Sequence, residues 1–185
     1  AFHKDSDLVW RWYSDRRRGM LEAKPNLGHI AIAELESFFD DFLLVTQNID
    51  NLHRRAGSKN LSEIHGNIFR EFCINCSFAR ASNECYNSTP KCPKCGAKLR
   101  PDVVWFGEQL PKKELELSFD FVSRADTIIV IGTSAIVYPV AELPYIVKSS
   151  SGEVIELNLT ETPLTQIADV SILEKAGIVL PEILK

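Results

Sequence analysis

No stretch of this 185-residue chain approaches the roughly 18 consecutive apolar residues that a membrane-crossing helix requires. No secretory leader is expected at its start, which runs AFHKDSD without an initiator Met. A basic surplus is missing too: 21 Lys and Arg stand against 25 Asp and Glu, with net charge −4 and pI near 5.6. That balance argues against broad nucleic-acid binding, where a basic face is expected. Neither the G-x-G-x-x-G dinucleotide fingerprint nor the G-x-x-x-x-G-K-[ST] phosphate loop occurs. There is no internal repeat and no low-complexity tract. What remains is an ordinary globular composition, 45% hydrophobic and 25% charged, sufficient for one core or for one domain with a small appendage.

The informative residues lie between Val45 and Cys95. Two Cys-x-x-Cys knuckles, Cys73/Cys76 and Cys92/Cys95, are separated by 15 residues. Two knuckles at this separation let four thiolates converge tetrahedrally, as structural zinc requires. The alternatives are two disulfides or unligated thiols. A four-cysteine site leaves no open coordination position, so such a zinc holds structure and activates no water. Cys85 is left over as a free thiol, and knuckled cysteines suit a reducing, intracellular compartment. Residues 69–99 are too poor in apolar side chains to form a core without the metal.

Along the chain, Asp5, Ser6 or Asp7 caps a helix through about Met20, with Leu8, Trp12, Tyr13 and Arg16 recurring at helical spacing. Tyr13 and Arg16 share a face; on these residues alone, an aromatic packed into the core and an arginine on a solvated basic face (Arg16, Arg17, Arg18) is favoured. Pro25–His29 forms a turn and cap before a helix through Phe39, with Ile30, Ala33 and Leu35 inward. Residues 42–46 (FLLVT) read as a strand of a parallel sheet buried on both faces. Gln47, Asn48, Ile49 and Asp50 then sit past its carboxyl end, where open α/β sheets bind ligands; Asp50 alternatively caps the next helix. His65, flanked by Gly66, is either a structural histidine or a proton acceptor near neutral pH. Val103–Glu108 reads as a short strand, either an inner one or an edge able to add a peptide strand. A helix over about Lys112–Arg124 leads to TIIVIG, 127–132, as a strongly buried strand. Gly132-Thr133-Ser134 turns directly toward a helix near Pro139, an anion-binding arrangement. VIELN, 154–158, is a further strand ending at Asn158, and a short helix closes the chain.

Taken in order, PNLGH, TQNIDNLH, AGS, EIHG, the knuckle pair, RPDVVWFGE, GTSAIVYPVAELP and the strand to Asn158 resemble the sirtuins, NAD-dependent protein deacylases, from about Tyr13 to Leu184. The resemblance implies an α/β fold with a Rossmann-type parallel sheet and a small zinc-ribbon lobe. Residues 1–68 and 100–185 are expected to form the NAD-binding domain, 1–24 the helical part of the small lobe, and 69–99 the zinc module. It implies His65 as catalytic base toward an NAD ribose hydroxyl. Gln47, Asn48, Ile49 and Asp50 would surround the nicotinamide ribose, and Gly132, Thr133 and Ser134 would form a cofactor-binding turn. Asn158, Leu159 and Thr160 would contact the adenosine ribose, and Ala176 the adenine. Val104, Phe106, Gly107 and Glu108, with Val137 and Tyr138, would sandwich an acyl-lysine peptide as an added strand. In the family's mechanism the acyl oxygen attacks the anomeric carbon as nicotinamide leaves, and the acyl group ends on ADP-ribose.

Tyr13-x-x-Arg16 resembles the pair of the sirtuin class that removes succinyl and malonyl groups, since a phenol and a guanidinium hold a distal carboxylate well. The family's opening Gly-Ala-Gly segment has no match in these residues, so the sheet is expected without its first strand and its main phosphate site. No direct nucleic-acid or membrane partner is expected. Three rival readings remain: a plain deacetylase, a non-catalytic NAD or ADP-ribose module, and a zinc-knuckle nucleic-acid binder. The last fits poorly, because Glu71 and Glu84 dilute the basic residues of the knuckle region.

Overall fold

The computed structural model describes residues 1–185. Asp5 caps the first helix, α1 (Ser6–Glu22), its carboxylate accepting the Leu8 N–H at 2.9 Å. The buried face of α1 is not the expected one. Trp10, Tyr13, Ser14 and Arg17 turn inward, while Leu8, Trp12 and Arg16 are exposed. Asn26 caps α2 (Leu27–Leu35), which ends in a 3₁₀ turn, and its inner face carries Ala31, Ile32 and Leu35 while Ile30 is exposed. Leu35 faces inward as the spacing suggested, while Ala31 and Ile32 take the places expected of Ile30 and Ala33.

Strand β1 (Leu44–Thr46) pairs in parallel with β2 (Leu61–Glu63), and α3 (Leu52–Ala56) crosses between them. Strands β3 (Gly66–Cys73), β4 (Ala79–Ala81) and β5 (Leu99–Val103) form an antiparallel sheet in the order β4-β3-β5. Helix α4 (Lys112–Val122) leads to β6 (Thr127–Ile131), α5 (Leu143–Ser149), β7 (Glu153–Asn158), β8 (Val170–Leu173) and α6 (Ala176–Ile183). Strands β6, β7 and β8 are parallel in that order. The Rossmann-type parallel sheet is therefore present in two parts, β1-β2 and β6-β7-β8.

Three expectations need correction. Strand β6 is not strongly buried; Thr127 and Ile129 are exposed, because β6 stands at an edge of its sheet. The strand before the substrate segment ends at Val103, and residues 105–108 fold into a turn closed by the Glu108 N–H to the Trp105 carbonyl at 2.9 Å. The Gly132 turn does not enter a helix directly: a 3₁₀ turn over Val140–Glu142 precedes α5 at Leu143.

Helix α1 lies on the antiparallel sheet. Trp10 donates its indole N–H to the Leu99 carbonyl at 2.8 Å, and the wholly buried Arg17 donates twice to the Ile68 carbonyl, at 3.1 and 2.6 Å. Arg17 also faces Glu71 at 4.0 Å, and Glu71 in turn accepts from Arg80 at 2.6 Å and from Tyr86 at 3.1 Å. Ile64, Val122, Val140, Leu143 and Val147 form an apolar core beside β2, α4 and α5, and Ala31, Ile32, Leu157 and Leu180 form another where α2 and α6 cover β7.

Candidate active site and metal centre

The four knuckle sulfurs lie within 4.8 Å of one another. Cys73 and Cys95 are 3.5 Å apart and Cys76 and Cys92 3.6 Å apart, too far for disulfides, whose S–S length is about 2 Å. Tetrahedral zinc at about 2.3 Å from each thiolate sets sulfurs a little under 4 Å apart. The donor set therefore fits one structural zinc ion, and the disulfide alternative falls away. Cys85 stands outside the cluster as a free thiol.

The expected crevice forms where the strand ends meet. His65 occupies the turn between β2 and β3, and its Nδ1 lies 3.0 Å from the Gln47 carbonyl. A carbonyl only accepts, so Nδ1 carries the proton and Nε2 of the neutral ring is the free base. Gly66 follows at φ +80, and a Cβ there would meet the Asp102 carbonyl oxygen at 2.1 Å. Only glycine lets β5 pass this close to the histidine turn. The Gln47 side chain reaches the Thr133 hydroxyl at 3.5 Å, and Asn158 donates to the Thr133 carbonyl at 2.8 Å. His65, Gln47, Thr133 and Asn158 thus link the ends of β1, β2, β6 and β7, joining the two parallel sheets.

Beside them, Asp50 accepts the Leu52 N–H at 2.9 Å in a turn just ahead of α3, whose N-cap position is Asn51, and its other oxygen is left for a partner. Asn48 is exposed, and the Ile49 carbonyl accepts from Ile68 N at 2.9 Å. Beneath the turn, Glu63 accepts from Arg54 at 3.1 Å, from Arg70 at 2.7 Å and from Asn67 at 2.6 Å. Burial alone would raise the Glu63 carboxyl, but the bonds from Arg54 and Asn67 and the charge of Arg70 hold it below the usual carboxylate range. Asn67 also donates to Asn51 at 3.0 Å, tying the strand after His65 to the Asp50 loop.

A cleft of about 570 Å³ opens against the ends of β6 and β7. Of the residues expected to contact the cofactor, Gly132, Asn158, Leu159 and Ala176 line it, whereas Thr133, Ser134 and Thr160 do not. Sequence reasoning missed Asn26, Leu27, Lys175 and Gly177, which also line it. Asn26 and Lys175 are the residues before α2 and α6, so two helix amino ends border the cleft. A Cβ on Gly28 would meet Gly177 N at 3.2 Å; the available signal was this pair of glycines at two helix starts. Exposed Leu27, Leu159 and Ile178 give the cleft an apolar rim, and Gly132, at φ +62, has open space where a side chain would stand. An apolar rim for a base and bare backbone for phosphates or ribose fit a dinucleotide.

The predicted substrate residues divide. The Val104 N–H donates to the His65 carbonyl at 3.1 Å, and Phe106, Gly107, Val137 and Tyr138 are exposed. Tyr13 is buried against Ile68, Phe69 and Val103, with its phenol accepting from the Trp105 indole at 2.8 Å. Arg16 lays its guanidinium 3.9 Å from the centroid of Trp12 and makes no ion pair, whereas Arg17 faces Glu71 and Arg18 pairs with Asp15. The expectation of one solvated basic face fails at Arg17. Burial raises the Tyr13 phenol above its ordinary range, against the opposing influences of Trp105, Arg100 and Arg16.

A model of the Sir2 family matches residues 1–139. The NAD-dependent protein deacylase of Pyrococcus furiosus is 50% identical over 192 residues, which span the whole chain and 77% of that protein. A Sir2 homolog solved as a complex with NAD superposes at TM-score 0.95 with 48% identity, over the whole chain and 73% of that structure. Sir2Tm bound to a propionylated peptide gives TM-score 0.90 and 36% identity, over 99% of this chain and 79% of that one.

Proposed function

The chain belongs to the Sir2 family, and from that premise we propose that it catalyses NAD-dependent removal of acyl groups from protein lysines, with succinyl and malonyl preferred over acetyl. The observation that carries the catalytic reading is His65, fixed through Nδ1 on the Gln47 carbonyl with Nε2 free to accept a proton. NAD supplies an electrophilic ribose carbon with nicotinamide as its leaving group. Gln47, Asn48, Ile49 and Asp50 would hold the nicotinamide ribose; Gly132, Thr133, Ser134, Asn158, Leu159, Thr160 and Ala176 would hold the rest. Val104, Phe106, Gly107 and Glu108 would guide the peptide on one side, Val137 and Tyr138 on the other. Zinc on Cys73, Cys76, Cys92 and Cys95 keeps the lobe folded and takes no part in the chemistry. Thiols committed to a metal suit a reducing intracellular compartment, the cytoplasm.

The acyl preference is supported by Arg16, exposed and without a carboxylate partner, and by the nearby Tyr13 phenol. Held by both, a distal carboxylate would gain charge-assisted bonds worth about 1.5–3 kcal/mol, or about 10- to 100-fold in selectivity. Arg17 cannot serve as the neutral control, since it is buried; Arg18 can. The test is kcat/KM for succinyl and acetyl peptides in wild type, Arg16→Met and Arg18→Met, with His65→Ala alongside. We expect His65→Ala to lose about 10²–10⁴-fold in turnover and Arg16→Met alone to abolish the succinyl preference. Near-normal turnover in His65→Ala refutes the catalytic assignment, and equal wild-type use of both peptides refutes the acyl preference.

A further inference from the structure

The segment expected as a substrate strand is a turn held by one arginine. Arg100, on β5, grips Glu108 with both terminal nitrogens, at 2.6 and 2.9 Å, and Nη2 also donates to the Val103 carbonyl at 2.9 Å. The same Glu108 carboxylate accepts the Trp105 backbone N–H at 2.9 Å. Above this grip the guanidinium carbon lies 3.6 Å from the centroid of the Trp105 ring, whose other neighbour is the buried Phe2 ring at 5.4 Å. The indole is therefore fixed in place and in tilt by Arg100, Glu108 and Phe2.

That fixed indole donates to the Tyr13 phenol at 2.8 Å. An indole N–H only donates, so the phenol oxygen must accept, and its own proton cannot be spent on Trp105. No protein acceptor takes that proton. Without Trp105 the phenol could turn and accept from water or from a ligand hydroxyl. With Trp105 in place, one acceptor position of the phenol is filled and its O–H is turned away from the indole, so donation is the bond most readily left to it.

We propose that Trp105, locked by Arg100 and Glu108, is a specificity-determining positioning residue that commits the Tyr13 phenol proton to donation toward a carboxylate-bearing acyl chain. This rests on the acidic-acyl reading given above and adds to it the group that sets the polarity of the phenol. Arg16 supplies charge, and Trp105 supplies direction.

Two measurements on this 185-residue chain test it. Among the three indole N–H resonances, the one that Trp105→Phe abolishes should shift in Tyr13→Phe, which keeps the ring and removes only the hydroxyl. In kinetics, Trp105→Phe and Tyr13→Phe should each lower the succinyl-to-acetyl ratio of kcat/KM about tenfold, mainly through the KM of the succinyl peptide. The double variant should fall no further than either single one, since both remove the same bond. Arg100→Lys, which keeps charge but not the two-pronged grip, should lie between, and it carries the test with Tyr13→Phe if Trp105→Phe folds poorly. A wild-type ratio near one overturns the acidic-acyl reading, and the selectivity role of Trp105 falls with it. A high wild-type ratio that Trp105→Phe leaves unchanged, or that the two variants lower by independent factors, overturns the role of Trp105 alone, as does an indole resonance indifferent to Tyr13.

Discussion

The metal lobe and the parallel sheets hold their shapes by different forces. In the lobe, the buried cluster is Phe2, Trp10, Cys73, Cys92 and Leu99, in which two members are metal-binding cysteines themselves. Beside it lie a second apolar cluster, Tyr13, Ile68, Phe69 and Val103, and a polar group: Arg17, buried between the Ile68 carbonyl and Glu71, with Arg80 and Tyr86 also bonded to that carboxylate. The parallel sheets instead rest on aliphatic contacts, Ile64 with Val147 on one side and Ile32 with Leu157 and Leu180 on the other. Apolar burial tolerates small changes of shape, whereas a metal and a buried guanidinium require defined geometry. The lobe is thus pinned at points, and the region beneath the cleft at the ends of β6 and β7 rests on aliphatic packing.

The largest separation between the two should come from removing zinc. Structural zinc in small modules contributes about 10–16 kcal/mol of apparent binding free energy, which is folding free energy there. Chelation, or Cys92→Ser, should abolish hydrogen-exchange protection in β3, β4 and β5 while β7 keeps most of its own. Uniform loss across both regions would show that they fold as one unit.

Next in size is Arg17→Met. Removing one partner of a buried pair typically costs about 3–5 kcal/mol, here moderated by Arg80, which still neutralises Glu71. The exposed Arg18→Met should stay within about 0.5 kcal/mol, and denaturant melts of the two compare them directly. The mirror experiment on the other region is Leu157→Ala, a cavity in a wholly apolar site, expected to cost about 2–5 kcal/mol without loosening bound zinc.

These variants also mark what the sequence could and could not disclose. The knuckles were legible because their chemistry is local: two short spacings suffice to fix four ligands. The runs at 42–46, 127–132 and 154–158 were legible because short stretches rich in aliphatic and β-branched residues suit a parallel strand. Arg17 was hidden in a run of three arginines, since the carbonyls of Ile68 and Glu84 and the carboxylate of Glu71, all more than 50 residues away in sequence, make its burial tolerable. The turn at 105–108 was hidden for a similar reason: VVWFG reads as strand until Arg100 and Glu108 close on one another. Strand β8, with mostly exposed residues, carries no burial signature of its own. The crevice was legible from polar residues at strand ends, but the lining from Asn26, Lys175 and Gly177 depends on two helix starts converging from opposite ends of the chain.

The smallest expected effect concerns acid, and it belongs to the parallel-sheet region. His29 on α2 and His53 on α3 face one another with ring centroids 4.7 Å apart. Burial lowers both below the ordinary imidazole value; for His53 the neighbouring His29 adds to this, while Asp50 and Glu63 oppose it. His53 Nδ1 is buried without a hydrogen-bond partner, so no hydrogen bond rewards its protonation. A folded pKa below the unfolded one means that the unfolded chain binds protons more readily as pH falls through the unfolded value, about 6.5. The stability is therefore fully present above that pH and is lost progressively below it. Each extra proton taken by the unfolded state costs at most about 1.4 kcal/mol per pH unit, and rings only half-buried should show a fraction of that. His53→Gln should flatten the slope of melting temperature between about pH 6.5 and 5, with zinc saturating so that thiolate protonation does not intrude. An unchanged slope would place the acid-sensitive groups elsewhere, in the lobe rather than beneath the Asp50 loop.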